Sequence, residues 1–126
     1  MAKRDREEIE SPYREDLEGI LAFSTFSETE ETLRKLDILR QKYQLSRDSK
    51  GTAHCRHIAS LGRKRAEFIS RNKRVDAKKR KQKQEIANWF GIWLETPALF
   101  FDWLELRKNS EEFRALSSID FHSTCR

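Results

Sequence analysis

The chain has 126 residues, a pI near 9.4 and a net charge of +5 from 26 basic and 21 acidic residues. Charged residues and the hydrophobic class each make up 37%, against roughly 25% and roughly 45–50% in an average domain, so the chain is polar yet apolar enough for one core. Four glycines and two prolines leave little for tight turns, which excludes a sandwich, a barrel or a glycine-rich nucleotide fold, and no apolar run approaches the ~18 residues of a membrane span.

Residues 1–10 are charged and read as a frayed segment ahead of a single helical domain over 11–126. They hold four acids and no apolar core, unlike a secretory or transit peptide. The expected location is cytoplasmic, or nuclear in a eukaryote, with Cys55 and Cys125 reduced. Ser11-Pro12 predicts the first helix start, with Ser as cap and Pro in the first turn. Tyr13, Leu17, Ile20, Leu21 and Ser24 continue it at helical spacing, weakened at Gly19. Ser27 with Glu30 forms a capping-box pattern ahead of Leu33, Leu36, Leu39 and Tyr43, a second helix ending near Leu45. Ser46–Thr52 reads as a polar connector.

A third helix is expected from about Thr52. It carries a bulky row, Ile58, Leu61 and Phe68, and a mostly small row, Cys55, Ala59, Gly62, Ala66 and Ile69. Small residues at that spacing let another helix approach closely. The remaining face holds Arg56, Arg63, Lys64 and Arg71. Beyond it, two readings compete: one continuous helix of roughly 40 residues, far above the usual length, or a break near Asn72 and a new helix capped by Asp76. The break is preferred. It places Lys78, Lys79 and Arg80 in a first turn, against the helix dipole, at ~0.3–1 kcal/mol per charge.

Ile86, Trp89, Phe90, Trp93 and Leu94 then recur on one helix face. Thr96-Pro97 restarts a helix bearing Leu99, Phe100, Phe101, Trp103, Leu104 and Leu106. The pair is expected to fold back as a hairpin. Ser110 opens a short last helix through Leu116, and Ile119 and Phe121 follow in the tail. The expected fold is all-α, a bundle of five or six helices with an aromatic-rich C-terminal hairpin as the packing unit over 85–121.

Charge is segregated along this fold. Residues 1–46 hold 8 basic and 11 acidic residues, 47–84 hold 14 and 3, and 85–126 hold 4 and 7, so a +11 middle lies between two flanks of −3. Eight of the 13 aromatics lie in 85–126, and only Phe68 lies in the basic middle. The densest run, residues 71–83, has 8 Lys or Arg in 13 positions. Such a run binds a DNA or RNA backbone by releasing phosphate counterions. The candidate phosphate contacts are Arg63, Lys64, Arg71, Lys73, Arg74, Lys78, Lys79, Arg80, Lys81 and Lys83. Lys78-Lys79-Arg80-Lys81 also fits a nuclear-import pattern, and a solvated basic helix is the ordinary alternative.

The expected function is therefore that of a small non-enzymatic nucleic-acid-binding protein, regulatory or part of a ribonucleoprotein. The rival is a protein–protein or assembly module that docks on an acidic partner or a second copy. Ala59, Gly62, Ala66, Trp89, Trp93 and Trp103 would be its interface. The two part on whether the acids of the first two helices neutralise the basic middle.

Catalytic signatures are lacking: there is no phosphate-binding glycine loop, nucleophile elbow or zinc-protease motif. Asp102 and Glu105 share a helix without a base, nucleophile and orienter around them. His54, Cys55, His57, His122 and Cys125 do not follow zinc-ligand spacing. No enzyme activity, cofactor or metal is expected. Arg56 and Lys64 are nearby cations that would lower a Cys55 thiol, although a buried, inert thiol is the ordinary state.

Overall fold

The computed structural model describes residues 11–117, which fold into α1 (Ser11–Leu17), α2 (Phe26–Leu45), α3 (Ser49–Ser70), α4 (Ala77–Glu95), α5 (Pro97–Lys108) and a short α6 (111–117). No strand occurs among the described residues. Residues 1–10 and the tail with Ile119, Phe121, His122 and Cys125 lie outside them.

Each boundary has a local chemical cause. Gly19 at φ +77° takes the left-handed conformation that L side chains rarely adopt, and α1 stops two residues earlier. The helix expected through Ser24 is therefore shorter, and Ile20–Phe23 run on as a strap. Thr32 holds that strap: its hydroxyl accepts the Ala22 N–H at 3.1 Å and reaches the Ala22 carbonyl at 2.9 Å. α2 opens two residues before the expected position. Its cap is Thr25, whose Oγ1 accepts the Glu28 N–H, while Glu28 Oε1 accepts the Ser24 N–H. α3 likewise starts at Ser49, because Asp48 accepts the Gly51 N–H and caps it. That same carboxylate accepts the Tyr13 hydroxyl at 2.7 Å, tying α1 to α3.

The preferred break after α3 is present. Asn72 Oδ1 accepts the Arg74 N–H and the Asn72 carbonyl accepts the Val75 N–H, which reverses the chain. Asp76 then caps α4 through the Lys78 N–H.

α3 and α4 run antiparallel, as shown by Arg56 donating to the Leu94 carbonyl and Gly62 facing Phe90. A Cβ on Gly62 would sit 2.6 Å from the Phe90 ring, so glycine sets the approach of the two helices here. The small row of α3 and the aromatic row of α4 form the centre of the core. Ala59, Ala66, Ile86, Trp89, Phe90 and Trp93 are fully buried. α2 adds Phe26, Leu33 and Leu36, α5 adds Phe100 and Leu104, and α6 adds Phe113, which stacks on Trp89. α4 and α5 form the expected hairpin across Thr96: Glu85 and Arg107, equally far before and after that residue, meet in a bidentate ion pair at 2.7 and 2.8 Å. Both innermost indoles donate to carboxylates, Trp89 to Glu85 and Trp93 to Asp37, as buried Trp N–H groups require.

Candidate nucleic-acid interface

The basic residues gather where α3 ends, the chain turns and α4 begins. Lys64, Arg71, Lys73, Arg74, Lys78, Lys79 and Lys81 are exposed there and make no ion pair with a described residue. The Asp76 cap and the Asn72 turn fix the backbone that carries five of them. Lys78 and Lys79 occupy the first turn of α4, which has no acidic residue to offset them.

Three expected contacts are engaged elsewhere. Lys83 is only 3% exposed: its ammonium donates to the Phe23 carbonyl at 2.6 Å and the Ser24 carbonyl at 3.2 Å, and lies over the Phe23 ring. It is a core strut that ends the strap, not a phosphate contact. Arg80 is half-buried and its Nε donates to the Val75 carbonyl, bracing the turn. Arg63 remains exposed, paired at 3.5 Å with Glu67 and lying along Gly91.

Five acids of residues 1–46 are held by cations outside this surface. Glu18 pairs with Arg14, Glu31 with Lys35, Asp37 with Arg40 and Asp16 with Lys42. Glu30 takes both Arg34 and Lys108. Burial would raise the Glu30 carboxyl, but hydrogen bonds and charge from Lys108 and Arg34 override it and hold the group below its usual value. Five of the eleven acids of residues 1–46 are thus paired with cations of their own flank or of α5.

The partner interface expected from small and aromatic residues loses five of its six members to the core. Ala59, Gly62, Ala66, Trp89 and Trp93 are consumed by α3–α4 packing inside one chain. Trp103 alone of that set keeps some exposure, between Leu99 and Leu106 on the outer face of α5, which are 62% and 75% exposed. Cys55 is fully buried, and burial pushes its thiol up to about 12, the opposite of an activated nucleophile. Among the described residues no three His, Cys, Asp or Glu converge as metal ligands. No helix among them is long and apolar enough to cross a membrane.

Sequence reasoning also misplaced Phe68. It belonged to the expected bulky row of α3, yet it is 72% exposed. It sits in an open groove of about 600 Å³ formed with Lys64, Glu67, Arg71, Asn72, Lys73 and Arg74. Its position as the only aromatic in the basic middle was the available signal.

No protein-family model matches the chain, no curated protein matches its sequence and no solved structure matches its fold, so the reading of this surface rests on its geometry and charge.

Proposed function

We propose that the chain is a small non-enzymatic protein that binds nucleic acid through the basic end of the bundle. Lys64, Arg71, Lys73, Arg74, Lys78, Lys79 and Lys81 contact phosphates, with Arg63 at the margin. The observation that carries this reading is the set of seven exposed cations around one turn without an ion pair among the described residues. Like charges so gathered repel one another, and two of them oppose the α4 dipole. A polyanion removes both penalties at once. Contacts of this kind orient the protein on the backbone and give little sequence preference.

The test is fluorescence anisotropy with labelled duplex and single-stranded oligonucleotides over a range of salt. The expected result is affinity that falls linearly with log salt, with each lost phosphate contact lowering the slope by ~0.9 on duplex and ~0.7 on single strands. Joint replacement of Lys78, Lys79 and Lys81 by Gln lowers that slope. An unchanged affinity and slope would remove these residues from the site.

The α5 stripe of Leu99, Trp103 and Leu106 favours a second, compatible role in docking a protein. Asp102 and Glu105 lie beside it, so a basic amphipathic helix fits this face. This is the opposite charge preference to the acidic partner expected from sequence.

A further inference from the structure

We infer that Phe68 is a base-stacking residue and that the groove around it selects single-stranded over double-stranded nucleic acid. The inference rests on the nucleic-acid reading above and deepens it by naming the strand state. A phenyl ring on α3 that had a place in the core would be covered by α4 or α2, as Ile58 and Ala66 are. Phe68 instead faces out at 72% exposure, and no other ring or cation stacks on it among the described residues. Its surroundings are not those of an ordinary stray surface hydrophobe. Lys64 stands one turn before it and Arg71 and Asn72 one turn after, while Lys73 and Arg74 close the groove from the turn. Glu67, the one carboxylate in the lining, is paired with Arg63.

An exposed ring among four cations has the composition of a single-strand platform. Aromatic faces stack on any base, and flanking cations follow the backbone. A duplex presents its phosphates to the same cations but keeps its bases stacked on each other, so it gains nothing from the ring. An apolar protein partner would take the ring but leave Lys64, Arg71, Lys73 and Arg74 desolvated and unpaired.

The experiment compares labelled oligo(dT), oligo(U) and a mixed-sequence duplex at one salt concentration, using the full chain and its Phe68→Ala, Phe68→Leu and Phe68→Trp variants. The intact chain is expected to prefer both single strands over the duplex. Phe68→Ala and Phe68→Leu are expected to weaken single-strand binding by roughly 5- to 100-fold while leaving duplex affinity unchanged. Phe68→Trp keeps single-strand affinity and adds an exposed indole whose emission is quenched on binding. Unfolding midpoints of the variants stay near that of the intact chain, since the ring contributes little to the core. Salt-dependent binding with no strand preference and no effect of Phe68→Ala overturns the stacking inference and leaves the phosphate reading in place. The same follows if Phe68→Ala weakens duplex and single strand alike. An intact chain that binds none of the three probes overturns both. Unequal loss on oligo(dT) and oligo(U) supports the inference, and oligo(dU) then separates the effect of the sugar from that of the thymine methyl group.

Discussion

Two lysines close in sequence have opposite environments. Lys81 is exposed, whereas Lys83 is buried with its ammonium against two backbone carbonyls of the strap. A hydrogen bond from a charged group contributes about 1.5–3 kcal/mol, and its loss takes a donor from two part-buried carbonyls. Lys83→Met keeps the aliphatic stem and removes the ammonium. It is expected to cost about 2 kcal/mol in urea unfolding and to leave the salt slope of oligonucleotide binding unchanged. Lys81→Gln, a surface change, is expected to do the reverse, with stability held within ~0.5 kcal/mol and the slope reduced. A reduced slope in Lys83→Met would return that residue to the interface. The clue to its burial is its register. Lys83 precedes Ile86 by three positions and so falls on the stripe that continues through Phe90 and Trp93. Charge counting alone cannot tell such a lysine from its neighbours.

At the scale of elements, α4 joins two features that conflict energetically. Its second half is the centre of the core, and its first turn presents Lys78 and Lys79 against the positive end of the dipole. Lys78→Gln with Lys79→Gln should therefore stabilise the helix by ~0.3–1 kcal/mol per charge at low ionic strength. The same double variant should bind oligonucleotides less tightly. A rise in the urea midpoint together with weaker binding would separate a functional charge cluster from a solubilising one, whose loss would leave binding untouched. The elements that sequence placed correctly are those with redundant signals. Asp76 as cap, Thr96-Pro97 as restart and the aromatic face of α4 each combine a terminus with a periodicity. The misplaced ones had a single ambiguous signal. Thr25 with Glu28 and Ser27 with Glu30 match the same capping pattern. Tertiary demand favours the first, because Glu30 pairs with Lys108 and Phe26 packs on Trp89 and Phe113. In α1 the apolar spacing continues past Gly19, but the backbone there turns left-handed and the helix does not.

Across the whole molecule, among the described residues, Asp16, Glu18, Glu30, Glu31 and Asp37 each pair with a cation of their own flank or of α5, while seven exposed cations at the basic end make no ion pair with a described residue. The tie between the N-terminal and C-terminal flanks runs through Glu30, which joins α2 to α5 by accepting from Lys108 at 2.9 Å while holding Arg34 at 2.8 Å. This division is why a chain of modest net charge presents a strong cationic surface. It was legible as +11 between two flanks of −3, but the long-range pairs, such as Glu30 with Lys108 and Asp16 with Lys42, depend on helix packing and were not. This pairing has a consequence for acid stability. Despite burial, which acts in the other direction, Lys108 and Arg34 hold the Glu30 carboxyl below its unfolded value. Its stabilising contribution is therefore complete above the unfolded pKa of about 4.3 and is lost as pH falls through the lower folded value. Asp48 adds to the same trend, since the Gly51 N–H and the Tyr13 hydroxyl lower its carboxyl as well. The urea midpoint of the intact chain is expected to drop as pH is taken from about 5 to about 3. Glu30→Gln should start from a lower midpoint at neutral pH and lose less of it over that interval, because glutamine has no proton to gain. Parallel pH curves for the variant and the intact chain would show that the α2–α5 tie does not govern acid stability, and would shift that role to Asp48 and the α1–α3 contact it holds.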